Sequence, residues 1–117
     1  MSDVDRERAR RIGLNEAVFR GVNEQIESLS GRFRQPYERP LDLICECGDI
    51  DCAERIQIRR DVYERLRADP LLFAVVPGHE LDDVEEVVSN AGGYDIVRKR
   101  PGVPEQVARE TDTRGAT

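Results

Sequence analysis

The chain predicts an α+β fold: an N-terminal amphipathic helix, then a small, mostly antiparallel sheet with one short helix and a metal-clipped loop. Three observations predict it. Apolar residues recur at helical spacing through the first third of the sequence. Short apolar or alternating runs follow, separated by Pro, Gly, Asn and Asp. All three cysteines then fall within Cys45 to Cys52, and the only histidine, His79, lies downstream in a second turn motif.

The helix comes first. Asp3 to Arg11 is dense in mixed charge and either begins it or is disordered. From there Ile12, Asn15, Phe19, Val22, Ile26, Leu29 and Phe33 recur at spacings of three and four. Ile12, Phe19, Ile26 and Phe33 are seven apart, a heptad seam with Asn15 as its polar member. The intervening residues are mostly charged, as on a solvated face. Gly31 is a plausible end, and Gly13 and Gly21 each weaken the helix by about 1 kcal/mol relative to alanine. The stripe is read as docking on its own domain. The alternative pairs it with a protein partner or a second copy through Ile12, Phe19, Val22, Ile26, Leu29 and Phe33, with Asn15 fixing register.

Gln35 to Pro40 is a linker bracketed by prolines. Leu41 to Cys45 reads as a strand delivering a candidate ligand. Arg55 to Arg59 alternates polar and apolar residues, as a half-buried strand does. Asp61 to Ala68 is a short helix with Val62 and Leu66 four apart and Tyr63 beside them, its Asp61 suited to the positive end of the helix dipole. Leu71 to Val76 is an unbroken apolar run, expected to be the most buried strand. Val84, Val87 and Val88 suit a strand or a helix. The turn cluster Asn90 to Gly93 and the clear strand Tyr94 to Arg98 favour a hairpin there. Residues 1–34 are thus the helix, 35–100 the small α+β domain, and 101–117 a polar tail expected to be disordered.

Composition bounds the function. The 117 residues suit one domain. A folded part of about 90 residues is of a size where a metal clip adds useful stability. No run is apolar enough to span a membrane, the N-terminus lacks a signal core, and the cysteines are read as reduced, so a cytoplasmic protein is expected. Net charge is −6 and uneven. Residues 1–40 carry eight Arg against seven acids, whereas residues 41–100 carry seven Arg and one Lys against fourteen acids. The cysteine half is therefore the acidic part and a poor candidate for nucleic-acid binding.

Cys45, Cys47, Cys52 and His79 are read as four ligands of one structural zinc ion, a common donor set for tetrahedral sites. Thiolate–zinc bonds of about 2.3 Å require ligand sulfurs within roughly 4 Å of one another. On a strand, Cys45 and Cys47 point to one face, and their sulfurs converge if the chain bends. Gly48 tolerates the backbone angles of such a bend, and Asp49 and Asp51 are turn formers that bring Cys52 back. His79 follows a Pro-Gly turn. The competing readings are three buried thiols with a surface histidine, or a disulfide with one cysteine left over. The cysteines sit among Asp, Glu and Gly, where burial for packing alone is hard to justify. An iron–sulfur cluster suits the same donors less well than zinc does.

Cys45-Glu46-Cys47-Gly48-Asp49, Cys52, Tyr63-Glu64, Asp69-Pro70, Phe73 and Pro77-Gly78-His79-Glu80 together resemble a set of small uncharacterised actinobacterial proteins. These share a C-x-C-x4-C segment, a short helix with a Tyr, a P-G-H-E element and a leading helix with an Asn-Glu pair, here Asn23-Glu24. The resemblance spans roughly residues 18–100 and bears on the site rather than on an activity.

Three functions follow from such a site. The first is a protein-interaction or regulatory module with structural zinc. The second is a zinc-dependent hydrolase or deaminase with Glu80 as general base, although H-E-x-x-H and H-x-E with P-C-x-x-C are both missing. The third is a redox sensor in which thiolate oxidation ejects the ion. Glu46, Asp49 and Asp51 beside the cysteines disfavour further thiolate charge and so argue against high reactivity.

Overall fold

A computed structural model describes residues 2–36 and 38–114. It has the predicted α+β architecture, with two small antiparallel sheets in place of one. In chain order the elements are α1 (Asp3–Arg32), β1 (Pro40–Ile44), β2 (Arg55–Arg59), α2 (Arg60–Arg67), β3 (Leu72–Val75), β4 (Glu85–Asn90), β5 (Asp95–Lys99) and α3 (Val103–Glu110). Strands β1 and β2 form one sheet, and β3-β5-β4 form the other. Tyr37 of the predicted linker and residues 115–117 of the predicted tail lie outside the described residues.

Helix α1 begins at Asp3, where the Ser2 hydroxyl accepts from the Asp5 amide at 3.1 Å and Asp3 and Asp5 meet the positive end of the dipole. The charged segment before Ile12 is therefore helical. The heptad seam docks only in part: Ile12 and Phe19 are buried, Ile26 is half-buried, and Val22, Leu29 and Phe33 are exposed. A straight helix with 3.6 residues per turn rotates a seven-residue seam by about 20° per heptad. The seam thus swings off the domain between Ile12 and Phe33. The face that docks along the whole helix includes Ala9, Gly13, Glu16, Arg20, Asn23, Glu27 and Ser30. Its charges point inward, contrary to the expected solvated face.

Ion pairs and hydrogen bonds explain this. Arg20 donates to the carbonyls of Pro70 and Ala108 at 2.9 and 3.0 Å and lies over the Phe73 ring. Glu16 pairs with Lys99 of β5. Glu24 pairs with the buried Arg67 of α2, which also holds Asp112 after α3. Buried charges persist only when partnered in this way.

In the two-stranded sheet Leu41 faces Ile58 and Leu43 faces Ile56, and these four join Tyr63 and Leu66 of α2 in one core. Pro40, which has no amide to donate, opens β1. In the other sheet the expected hairpin is present: β4 pairs with β5 through a turn at Ala91–Tyr94, where Gly92 has φ of 89°. Phe73 and Val75 of β3 and Val97 of β5 form a second core with Cys45 and Cys47.

The tail expectation is corrected. Residues 103–110 form α3, with Pro104, Val107 and Ala108 buried. Their spacing of three and one places them on one helical face, too short a pattern to outweigh the polar composition around it. That face docks on α1 at Gly13, where a Cβ would lie 2.8 Å from Val107. Glycine at this point is what lets the two helices meet.

Candidate metal centre

The donor atoms of Cys45, Cys47, Cys52 and His79 all lie within 4.8 Å of one another. All four predicted ligands are thus brought together from two segments. His79 Nδ1 is 3.6 Å from Cys45 Sγ and 3.7 Å from Cys52 Sγ. Metal–ligand lengths of about 2.3 Å to sulfur and 2.0–2.1 Å to nitrogen, at a tetrahedral angle, require S···N of about 3.6 Å. The observed spacing fits one ion.

Each donor has a local reason to be where it is. Cys45 follows β1, and its amide donates to the Glu54 carbonyl at 2.9 Å. Alternation along this extended segment turns Cys45 and Cys47 to one side and Glu46 to the other. Asp49 builds the return: its carboxylate accepts from the Asp51 amide at 2.9 Å, and its carbonyl accepts from the Cys52 amide at 3.0 Å. His79 is delivered by a turn closed from its own amide to the Val76 carbonyl at 2.9 Å, with Gly78 at φ of 91°. Pro77 and Gly78 are the residues a type II turn selects at those places.

Gly48 serves differently from expectation. Its φ is not in the left-handed region. Instead, a Cβ there would lie 2.5 Å from Cγ2 of Ile12 and 3.2 Å from Cδ1 of Leu81. The metal loop has no room for a side chain because α1 lies against it. Asn15 of α1 confirms the contact, donating to the Gly48 carbonyl at 3.0 Å.

The surroundings orient the sulfurs and the imidazole. The Val76 amide donates to Cys45 Sγ at 3.1 Å. Glu54 Oε2 lies 2.8 Å from His79 Nε2, so that nitrogen carries the proton and Nδ1 keeps its lone pair for a metal. Protons alone serve the sulfurs poorly. The hydrogen bond between Cys45 and Cys47 pulls Cys47 down to about 5, while the same contact, with burial, pushes Cys45 far up. The two sulfurs resist carrying charge together, and a divalent cation between them would remove that conflict.

Sequence reasoning missed two residues. Glu54 has no motif, since it reaches His79 only in the folded chain. Glu46 was read as an acid beside the thiolates, yet it is fully buried on the opposite side. Its Oε2 accepts from Tyr63 Oη at 2.7 Å and Asn23 Nδ2 at 2.8 Å, and its Oε1 from the Ala74 amide at 3.0 Å. Burial pushes its carboxyl up, against the pull of these three donors. Burial, then the Glu46 charge, pushes the Tyr63 phenol far up, so it donates as a neutral hydroxyl. The available signal was period two: a residue between two ligands on a strand faces the core.

Glu80, the candidate base, lines a recess of about 230 Å³ with Cys47, Asp49, Gly78, His79 and Leu81. Among the described residues its Oε2 has no hydrogen-bond partner. The carboxylate that holds the imidazole is Glu54, not Glu80. No helix among the described residues is long and apolar enough to cross a membrane. No family model, curated protein or solved structure matches the chain.

Proposed function

We propose that the chain is a small zinc-stabilised interaction or regulatory module, in which Cys45, Cys47, Cys52 and His79 hold a structural ion. The observation that carries this is the convergence of four donors within 4.8 Å, with S···N distances of 3.6 and 3.7 Å. Three thiolates and an imidazole are a donor set that zinc selects. Four protein ligands fill a tetrahedron and leave no position for a reacting water, which supports a structural role over hydrolysis or deamination with Glu80 as base.

The ion's task is to lock together two segments that a shared core already brings side by side. The cysteine loop follows the two-stranded sheet, and His79 follows β3 of the other sheet. Among the described residues no strand pairs across the two sheets, and the direct backbone link is the Glu46 amide donating to the Ala74 carbonyl at 2.8 Å. A metal gripping both segments makes its binding energy part of the folding energy.

Metal analysis of purified protein, with Cys47→Ser and His79→Ala variants, tests the reading. One zinc per chain, lost together with cooperative unfolding in both variants, supports it. A His79→Ala variant that folds normally and keeps its zinc with an exchangeable water overturns it in favour of chemistry at the ion. Release of zinc by low peroxide, reversed by thiol reductant, overturns a purely structural role in favour of a redox sensor.

A further inference from the structure

Helix α1 is inverted relative to an ordinary surface helix. Between Ile12 and Gly31 its four charged residues are Glu16, Arg20, Glu24 and Glu27, and all face the domain and its ion pairs. The exposed residues of that stretch carry no charge: Leu14, Val18, Val22 and Leu29 alternate with Gly21, Gln25 and Ser28. In a chain that is 36% charged, a surface helix is expected to put its charges on the outer side. Depletion of charge is the mark of the core of a protein interface.

We infer that this outer face of α1 is a homodimer interface, crossed antiparallel by the same face of a second copy. Three observations select a second copy. The first is charge. Each chain carries −6, so a copy meets its twin at least cost where no like charges oppose each other, and this face is such a place. The second is self-complementarity. Leu14 and Leu29 lie equidistant from the Gly21–Val22 midpoint, as do Val18 and Gln25. A two-fold axis at that point sets Leu14 of one copy on Leu29 of the other, and the contact is isologous. Leu14, Val18 and Val22 form one ridge at spacing four, and Gln25, Leu29 and Phe33 form the next. Such ridges interdigitate at about −50°, which parts the helix ends and separates Arg11 from Arg32 across the pair.

Gly21 fits that axis. A Cβ added to it meets nothing within 4 Å in its own chain, so no intramolecular contact requires glycine there. A glycine in mid-helix costs about 1 kcal/mol relative to alanine. At the crossing point it lets the two backbones approach.

The third observation is area. Leu14, Val18, Val22 and Leu29, which lie inside the parted ends, are 42%, 55%, 40% and 47% exposed. At roughly 200 Å² for a fully exposed large apolar residue, these correspond to about 370 Å² per copy. A pair then buries about 700 Å², the scale of a weak, reversible contact between copies rather than an obligate dimer.

Sedimentation equilibrium of the full-length, zinc-loaded protein across two decades of concentration tests this. The mass is expected to rise from 13.3 kDa toward twice that value. Val18→Glu and Leu29→Lys variants are expected to stay monomeric, with zinc content and unfolding midpoint unchanged. A Leu14→Glu variant is also monomeric alone, but mixed with Leu29→Lys it recovers the dimer, because antiparallel crossing sets position 14 against position 29. Wild-type protein that remains at monomer mass throughout overturns a second copy as the occupant and leaves the face to a different protein. A dimer that survives Val18→Glu places the contact elsewhere and overturns the assignment. A mixture that stays monomeric overturns the antiparallel crossing.

Discussion

The side-chain amide of Asn23, on α1, donates to the carboxylate of Glu46 at 2.8 Å. The same amide group also serves the Ile44 peptide, accepting from its N–H and donating to its carbonyl at 2.9 Å each. Asn23 therefore stands in for a neighbouring strand along the edge of β1, immediately before the first cysteine. Replacing it by alanine leaves a buried carboxylate short of a donor and two peptide groups unpaired. The expected loss is about 2–4 kcal/mol, read as a lowered urea midpoint in zinc-loaded protein. An unchanged midpoint counts against the helix as a support of the metal loop.

Glu54 offers a cleaner test of the centre, because its side chain is mostly exposed and touches the imidazole from outside. A Glu54→Gln variant keeps the shape and loses the charge that orients His79. Zinc affinity, measured by chelator competition, is expected to fall about 10–100-fold. Unfolding of the loaded protein is expected to be near wild type. An unchanged affinity counts against the Glu54 charge as a support of the His79 ligand.

How far these relationships could be read beforehand depended on whether they were local. Cys45, Cys47 and Cys52 declared themselves because their spacing and turn residues lie together in the chain, and His79 because it was the only imidazole available. Strand alternation gave β1 and β2, and the Asn90 to Gly93 turn gave the hairpin. The orientation of α1 was not legible in the same way. Hydrophobic spacing pointed to the seam through Phe33, whereas Glu16, Arg20 and Glu24 face inward for partners on β5, α2, α3 and the loop before β3. Those partners are distant in sequence, and a charge looks solvated until its counter-charge is placed. Helix α3 was hidden for a related reason: three apolar residues suffice only because Gly13 brings α1 close.

Gly48 tests the contact between α1 and the metal loop from the other side. A Gly48→Ala Cβ would sit 2.5 Å from Ile12, well inside contact distance, so α1 or the loop must shift. Ile12 is buried with Ala9 and Val84 and has little room to yield. The expected cost is about 1–3 kcal/mol in thermal or urea unfolding, as for other overpacked sites. In an Ile12→Ala background, which lacks the clashing Cγ2, the same change is expected to cost less. A smaller cost in the Ile12→Ala background separates close packing from a backbone-angle requirement, which such a change leaves untouched.

Lys99 sits between two carboxylates, 2.8 Å from Glu85 and bonded also to Glu16, and all three are buried. One ammonium neutralises one carboxylate, and Glu16 Oε2 has no hydrogen-bond partner among the described residues. Burial, followed by the hydrogen bond and charge of Glu85, pushes the Glu16 carboxyl well above its usual range. A carboxyl raised on folding contributes stability that is complete below the unfolded value, about 4.5, and is lost as pH rises through the folded one. Glu16→Gln fixes the neutral form. It is expected to be within about 1 kcal/mol of wild type on the acid side and to gain on it as pH rises. Lys99→Met strands two buried acids and is expected to cost about 3–5 kcal/mol at neutral pH. Urea unfolding of the three proteins from pH 5 to 9 reads both effects. A Glu16→Gln variant whose stability tracks wild type across that range means that Glu16 is ionised throughout, with Lys99 shared evenly between the two carboxylates.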